Sequence, residues 1–504
     1  MLFCSQPARP DNRVVFSSHI FVYYFLPLAL LGYYLLFRAP QRCRNGWLIL
    51  TGYIFYGWAE PRFVPLMFAT TFVDWLVSLI IAHDTWRFWR ILHHPVKQLP
   101  RRMRRTRTQR HAIWISVALN LATLGFFKYF NFGIESWNAL ATGVGLHHGQ
   151  FDTFFRVVLP LGISFYTFQA LSYTIDVYRG EAEAMSNFID FSCFVSMFPH
   201  LVAGPILKFS FLAEQLKHRA LTSDKFARGV AFFMLGLAKK ILLANPCGKI
   251  ADTAFNAGSV GTLDAWFGSI GYAFQIYFDF SGYSDMAIGL GLMFGFVFAK
   301  NFDSPYLSES ITDFWRRWHI SLSTWLREYL YVPLGGNRRG IRRTYFNLTL
   351  TMLLGGLWHG ASWNFVIWGG LHGGMLAFER SQGREGFYHN LPRPLRVAFT
   401  FVIVLFGWVF FRAADLHRAI AYLATMFGLG HSEPSAALLG GILYKPYYVL
   451  SLGIAAIVVW FGKQTWDWTQ RMTVPKTAIC FALGWLALVV LATQEYNPFI
   501  YFIF

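Results

Sequence analysis

Charged side chains are scarce in this 504-residue sequence: Asp, Glu, Lys and Arg make up 14% of it, whereas hydrophobic residues make up 55%. A soluble globular protein usually carries about a quarter charged residues. Most of the surface of this protein is therefore expected to face lipid. The 53 Phe, 24 Tyr and 19 Trp suit aromatic belts at the two membrane interfaces.

Cysteine is also rare, since the five present show no spacing typical of a disulfide framework or a zinc site. Several soluble-enzyme signatures are absent: the sequence has no G-x-S-x-G, H-E-x-x-H, P-loop or C-x-x-C pattern. Serine-hydrolase, zinc-protease and ATPase functions lose most of their support. No bound metal or other bound cofactor is predicted.

Long apolar runs occur along the whole chain. The first, from about Phe16 to Phe37, is long enough to span a bilayer and has no clear cleavage site after it. We predict an all-α, polytopic membrane protein with about 11 to 13 membrane helices, some of them re-entrant. Because no repeat or linker divides the chain, residues 14–504 are predicted to form one domain. Residues 1–13 are polar and unpatterned, which we interpret as a non-native extension from a start codon assigned too early.

The net charge of +18 could suggest nucleic acid, but Lys and Arg cluster in short loops between apolar runs, so no nucleic-acid binding is predicted. By the positive-inside rule these basic loops are cytoplasmic. They are residues 38–44, 87–110, 208–228, 316–343, 380–396 and 463–476. Both chain termini are then predicted to lie outside.

Polar groups at membrane depth are costly, so an ionisable residue within an apolar stretch is a functional candidate. One such segment, from Asp313 to Asn337, is too polar to span freely and contains Arg316, Arg317 and His319. A second, Gly355–Asn364, places His359 in a glycine-flanked break between two apolar runs. Broken helices of this kind commonly form binding sites.

A neutral histidine can take a proton from an attacking hydroxyl and return it to a leaving group. The alternative, that either histidine only packs and bonds a backbone carbonyl, stays open at this point. A third cluster, Phe278–Asp285, puts two carboxylates at the start of a Gly-rich apolar helix. We assign Asp285 a supporting role there, since a buried Asp often pairs with a cation.

At these residues the sequence resembles the membrane-bound O-acyltransferase superfamily, in particular the branch of alginate O-acetyltransferases and related polysaccharide or peptidoglycan acetylation proteins. The segments that carry the resemblance are Val15–Ser18, Phe168–Arg179, Pro199–Pro205, Phe278–Asp285, Phe314–Gly336 and Gly355–Asn364. The resemblance implies that His359 is the near-invariant histidine and His319 a second, branch-typical one. Both would be catalytic and line a central tunnel between the two membrane faces.

The resemblance also implies further roles. Trp358, Asn364, Ser323 and Asp285 would support the site, and Arg316 and Arg317 would bind the donor. The donor would be a cytoplasmic acyl thioester, acetyl-CoA being the natural candidate, whose phosphates the basic loops would attract. In a bacterial cytoplasmic (inner) membrane, acetyl would pass outward to a periplasmic partner of the SGNH-hydrolase type. The final product would be an O-acetylated exported polysaccharide such as alginate.

The chain ends in Asn497–Phe504, which resembles an aromatic C-terminal motif of this branch. We hypothesise that Tyr501 is a transient acetyl carrier; an aromatic anchor at the interface is the alternative. Rival functions are acylation of peptidoglycan, cellulose or teichoic acid by the same mechanism, and a non-enzymatic multi-span transporter. A transporter of the latter kind would commonly show inverted repeats, and no repeat is apparent.

Overall fold

The computed structural model describes residues 15–87, 89, 91, 94–101, 103–146, 149–151, 156–383, 390–430, 434–494 and 496–500, and at 434, 435 and 437 it describes the backbone alone. Every regular element in these ranges is helical. The predicted all-α fold class is therefore confirmed for this part of the chain. Residues 1–13, the predicted extension, lie outside the described residues.

The described residues form two compact units. The first comprises the residues up to Phe226 together with Gly291–Phe296, and the second comprises Ala227–Leu290 and the residues from Val297 onward. The prediction of a single domain over residues 14–504 stays a prediction, because two compact units of one chain can still fold cooperatively.

The helices of the first unit span Phe21–Leu35, Gln41–Ala59, Val64–His83, Arg107–Gly143, Ile163–Arg179, Phe188–Ser196, Phe198–Leu201 and Phe209–Lys217. A buried carboxylate links two of them. Oδ1 of Asp74 accepts hydrogen bonds from Ser116 Oγ at 2.6 Å and from Asn120 Nδ2 at 2.9 Å. Because a polar group surrounded by lipid must find its partners within the protein, these bonds hold the third and fourth helices together.

The second unit contains the remaining helices, except for the first residues of Ser223–Ala238 and the last residues of Thr262–Met293, which belong to the first unit. They span Ser223–Ala238, Lys239–Ala244, Asn245–Phe255, Thr262–Met293, Ile311–Arg317, Ile320–Leu326, Arg327–Tyr331, Ile341–His359, Trp363–Ser381, Arg393–Arg412, Leu416–Met426, Gly440–Leu443, Pro446–Phe461, Thr465–Trp468 and Val474–Thr493. Lys239–Ala244 and Arg327–Tyr331 are π-helical. The predicted histidines both belong to this unit.

Four helices in the described part of the chain are long and apolar enough to cross a membrane: Pro61–His83, Arg107–Gly143, Arg393–Arg412 and Val474–Thr493. Two further helices, Phe21–Leu35 and Pro446–Phe461, are apolar but shorter. The predicted count of about 11 to 13 membrane helices is not confirmed. Some long helices are not among these four because charged and polar residues make them less apolar. Thr262–Met293, for example, contains three Asp residues.

Two antiparallel helices, Ile341–His359 and Trp363–Ser381, form what we call the histidine hairpin. Their backbones touch at glycines: a Cβ on Gly356 would lie 2.2 Å from the carbonyl oxygen of Phe365, and one on Gly369 would lie 2.4 Å from that of Met352. Only glycine permits this approach. The break predicted between the two apolar runs is the connection at 360–362, so His359 is the last residue of its helix.

Candidate active site

His359 is surrounded by aromatic rings. The ring centroids of Trp358, Trp368 and Phe411 lie 5.0, 5.2 and 5.2 Å from that of its imidazole. The side chain lines a cavity of about 20 Å³, enough for one water-sized group. The other residues that line this cavity are Ile276, Phe280, Trp318, Trp408, Phe411 and Ile500. A small reacting group held beside His359 would be shielded from bulk water.

His319 is completely buried and has a left-handed backbone conformation, with φ 44° and ψ 55°. Its Nδ1 lies 3.2 Å from Oδ1 of Asn301. The same oxygen accepts the backbone N–H of Ser321 at 3.2 Å and the hydroxyl of Ser321 at 2.8 Å. Because a backbone N–H can only donate, it is the amide oxygen of Asn301 that faces these groups, and Nδ1 of His319 must carry the proton.

This tautomer leaves the lone pair of His319 on Nε2. That nitrogen is buried and has no hydrogen-bond partner among the described residues. The ring of Phe280 lies 4.6 Å away between centroids, and that of Trp358 lies 6.1 Å away. An imidazole lone pair in apolar surroundings can accept a proton or a hydrogen bond from an entering group.

The structure brings three of the predicted site residues together. Trp358 contacts the rings of both His319 and His359. Phe280 also connects them, because it packs on His319 and lines the cavity beside His359. Trp358 and Phe280 therefore bring the two histidines close together, and that both act in one site stays a prediction.

Two other predicted supporting residues hold the framework. Nδ2 of Asn364 donates to the carbonyl oxygen of Ala413 at 2.8 Å, which ties the second helix of the histidine hairpin to the end of the helix Arg393–Arg412. Ser323 donates to the carbonyl oxygen of Trp318, five residues earlier in the chain, at 3.4 Å. Neither residue is among the described residues that line the cavity.

Two lysines that interrupt an apolar run are neutralised by carboxylates of the helix Thr262–Met293. Nζ of Lys239 lies 2.7 Å from Oδ2 of Asp285, which also accepts the hydroxyl of Thr465 at 2.6 Å. Nζ of Lys240 lies 2.8 Å from Oδ1 of Asp279, and both side chains are almost completely buried. Removing either member of such a pair would leave an uncompensated charge in the protein interior.

The C-terminal segment 496–500 is bound to the second of these pairs. Oδ2 of Asp279 accepts the backbone N–H of Ile500 at 2.8 Å, and Nζ of Lys240 donates to the carbonyl oxygen of Pro498. Ile500 in turn lines the cavity beside His359. The Lys240–Asp279 pair therefore holds the C-terminal segment at the site. Tyr501, the predicted acyl carrier, is the next residue and lies outside the described residues.

Arg316 lies at a different opening, which we call the arginine pocket, of about 850 Å³. Its lining residues include Arg380, near the end of the histidine hairpin, and Arg396, in the helix Arg393–Arg412. Tyr331, Asn337 and Thr344 also line it. These residues come from or adjoin the basic segments 316–343 and 380–396, which the positive-inside rule predicts on the cytoplasmic side. Three arginines and three acidic residues line the pocket, so the charge that it offers to a ligand depends on what its carboxylates already bond.

The acidic groups in the arginine pocket are already engaged. Glu379 accepts the backbone N–H groups of Ile311 and Thr312 at 2.7 and 2.8 Å, which caps the helix Ile311–Arg317. Glu309 pairs with Arg396 at 2.9 Å and with Arg393 at 3.1 Å, and Asp313 pairs with Arg317 at 2.9 Å. Within the described residues no acidic partner is found for Arg316 or Arg380, so these two guanidinium groups can bind an anion.

Sequence reasoning missed Asn301, Lys240 and Asp279 as site residues. Nothing in the spacing marks Asn301, which is 18 residues from His319 in the chain. Lys240 and Asp279 each gave a signal, since both are charges in apolar runs, but their pairing depends on the tertiary fold. Among the described residues, no group of three His, Cys, Asp or Glu side chains could hold a metal ion.

The Asp279→Asn variant should loosen the C-terminal segment, because it leaves Lys240 buried without a counter-charge at a cost on the order of 3–5 kcal/mol. We expect a lower melting temperature in detergent and faster release of C-terminal residues by carboxypeptidase. Glu183→Gln is the control, since it removes the exposed ion pair with Lys217 and should change little. Equal melting and digestion of Asp279→Asn and wild type would contradict the assignment.

Comparison with known proteins shows the family of this chain. A model of the membrane-bound O-acyltransferase family matches residues 179–413. The chain is 43% identical over 517 aligned residues to the probable alginate O-acetylase AlgI of Pseudomonas putida, covering 97% of this chain and 100% of the relative. The protein of the same name from Pseudomonas aeruginosa is 45% identical over 92% of this chain and 85% of its own. The peptidoglycan O-acetyltransferase of Helicobacter pylori is 36% identical over 82% of this chain and 80% of its own.

The match to the family model includes both His319 and His359. Similarity also extends over almost the whole chain, and the apolar helices agree with a multi-pass membrane protein. The chain belongs to the membrane-bound O-acyltransferase family.

Proposed function

We propose that this protein is a membrane O-acetyltransferase that moves acetyl from a cytoplasmic thioester across the membrane for O-acetylation of alginate. The observation that carries the reaction is the pair of histidines that share Trp358. His359 is half-buried beside a small, mainly aromatic cavity, and His319 is fully buried with a lone pair directed by Asn301. The polymer is inferred from the full-length similarity to the alginate O-acetylases. Acylation of peptidoglycan is the second candidate, supported by the Helicobacter pylori relative; acylation of cellulose or teichoic acid would use the same mechanism.

In the proposed mechanism, the hydroxyl of the acceptor attacks the carbonyl carbon of the thioester beside His359. His359 takes the hydroxyl proton as the carbon–oxygen bond forms, and the carbon–sulfur bond then breaks. The thiolate leaves with the electron pair and takes the proton back from His359, which gives a free thiol and a neutral imidazole. Nε2 of His319 accepts the hydrogen bond of the hydroxyl while the acceptor enters, and the same proton then turns to His359 when the hydroxyl reaches the thioester.

The arginine pocket is proposed as the entrance for acetyl-CoA. The phosphates of this donor carry several negative charges. Arg316 and Arg380 are the two arginines of this pocket for which no acidic partner is found among the described residues. Arg317 was also predicted to bind the donor, but its Nε bonds both oxygens of Asp313. We therefore assign phosphate binding to Arg316 and Arg380 and a structural role to Arg317.

The outward half of the reaction is proposed to involve a partner. We place the protein in the bacterial cytoplasmic membrane, with a periplasmic SGNH-type enzyme that passes acetyl to the polymer. Tyr501 is the proposed carrier between them, because the Lys240–Asp279 pair fixes the preceding residue, Ile500, beside His359.

Acetyl-CoA radiolabelled in the acetyl group tests the reaction and the carrier together. Purified wild-type protein should become labelled, whereas His359→Ala should not, because it loses the base. Tyr501→Phe should also stay unlabelled, and Tyr447→Phe, which alters an exposed tyrosine, should behave as wild type. Label on Tyr501→Phe but not on His359→Ala would remove the carrier and keep the enzyme. Wild type that neither takes up label nor releases CoA, even with the periplasmic partner present, would refute the function.

The Asn301→Leu variant tests the tautomer of His319. Without the acceptor oxygen, Nδ1 no longer has to carry the proton, and we expect kcat to fall by about 10²-fold by analogy with other misoriented catalytic histidines. Asn301→Asp keeps an oxygen at this position and should retain more activity than Asn301→Leu. Equal turnover by Asn301→Leu and wild type in a CoA-release assay would contradict the role of Asn301.

The double variant Arg316→Gln and Arg380→Gln tests the donor entrance. Loss of two charges that face phosphate should raise KM for acetyl-CoA by about tenfold, with little change in kcat, because the reacting groups are untouched. The effect should shrink at high salt. The control is Arg418→Gln, which removes an exposed arginine that does not line the arginine pocket. An unchanged KM would place the donor elsewhere.

A further inference from the structure

A third buried histidine lies in the second helix of the histidine hairpin, and no role has been assigned to it so far. His372 is completely buried, and Trp368, one turn earlier, is 1% exposed. Their nitrogens His372 Nε2 and Trp368 Nε1 have no hydrogen-bond partner among the described residues. Two unsatisfied polar groups so close together in an apolar core call for an occupant.

Both groups are hydrogen-bond donors. Nε1 of Trp315 donates to Nδ1 of His372 at 3.3 Å, so Nδ1 holds the lone pair and Nε2 carries the proton. The indole nitrogen of Trp368 can only donate. The two N–H groups can therefore be satisfied only by an acceptor atom, such as an oxygen.

The two donors meet beside Gly407. The point that a Cβ on this residue would occupy lies 3.1 Å from Nε2 of His372 and 3.6 Å from Nε1 of Trp368. A side chain at Gly407 would therefore crowd both nitrogens, and glycine leaves their N–H groups uncovered on this side. We call these two N–H groups the donor pair.

The donor pair adjoins the catalytic region. The ring of Trp368 lies 5.2 Å from that of His359 between centroids, and Trp408, the residue after Gly407, lines the cavity beside His359. In the other direction Leu376 lines the arginine pocket, two helical turns from Trp368. At a rise of about 1.5 Å per residue, this separation is roughly 12 Å along the helix.

We propose that His372 and Trp368 form a binding site for the carbonyl oxygen of the acyl group during transfer. This inference rests on the proposed function. It gives a role to two buried N–H groups that take no part in the proposed action of His319 and His359. As the acceptor hydroxyl adds to the carbonyl carbon, the π electron pair moves onto this oxygen, and two N–H donors stabilise the negative charge. When the carbon–sulfur bond breaks, the pair returns and the carbonyl is restored.

The chemistry of the donors favours this occupant. Both donors are uncharged N–H groups in a buried, aromatic setting, where a hydrogen bond to a developing anion is stronger than in water. Such donors match a single oxygen that is neutral at rest and negative in the transition state. A permanently charged phosphate would instead be expected at the guanidinium groups of the arginine pocket.

Steady-state CoA release from acetyl-CoA by the purified full-length protein tests the assignment, with kcat and KM measured separately. Trp368→Phe and His372→Leu each remove one donor and should lower kcat by about 10²-fold with KM nearly unchanged. His372→Gln can place an amide N–H at the same position and should keep more activity than His372→Leu. Gly407→Ala sets a methyl group against both N–H groups and should also lower kcat, whereas Gly374→Ala, with nothing within 4 Å of its Cβ, should not.

A second readout does not require turnover. The ketone analogue of acetyl-CoA, in which a methylene replaces the sulfur, keeps the carbonyl oxygen and cannot transfer. Two hydrogen bonds should lower its isotope-labelled carbonyl stretching frequency in wild type, and Trp368→Phe should reverse most of that shift.

The possible results distinguish an error in the oxygen site from an error in the proposed function. An unshifted carbonyl in the bound analogue, or wild-type kcat in Trp368→Phe, would overturn the site while leaving the acetyltransferase intact. Loss of kcat that only follows a loss of folded protein, seen in the melting temperature, would also overturn it, since the residues would then be structural. If the wild type neither turns over acetyl-CoA nor binds the analogue, acetyl-CoA is not the acyl donor. The proposed function and the oxygen site would then both be wrong.

Discussion

The buried charge pair of Lys240 and Asp279 is the interaction on which the geometry of the site depends most. It joins two helices of the second unit and, through the backbone of Pro498 and Ile500, the C-terminal segment as well. Replacing such a pair by apolar residues often costs little. Here, however, the carboxylate also accepts a backbone N–H. The pair therefore acts together with Asn245 and Asp252, which bond residues 496 and 497, to order the segment beside His359.

Much of this arrangement could be predicted from composition and local pattern. Scarce charge and long apolar runs predicted helices, and histidines in polar interruptions predicted the site, because such residues are rare in lipid-facing sequence. The helix count could not be predicted, since long helices with buried carboxylates differ little in composition from polar segments. Asn301 and His372 were missed for a different reason: their roles come from contacts with Ser321, His319 and Trp315, which only the folded chain brings about.

The histidine hairpin extends from the arginine pocket to the cavity beside His359. Its second helix lines the arginine pocket at Leu376 and Glu379, and further along its length Trp368 contacts His359. Glycines that bring the two hairpin backbones into contact fix the register between these points. A shift of one helix along the other would therefore change the distance between the arginine pocket and His359, even with every side chain retained.

The left-handed backbone of His319 restricts how this position can vary. Few residues other than glycine adopt such a conformation readily, and Asn, Asp and His are the ones enriched there. Loss of the imidazole is therefore easiest through Asn, Asp or Gly, while an aliphatic or β-branched replacement would strain the turn as well as remove the ring. Among natural relatives, an inactive copy of this fold should carry one of those three small residues at the position, so the amino acid found there would distinguish lost chemistry from a lost fold.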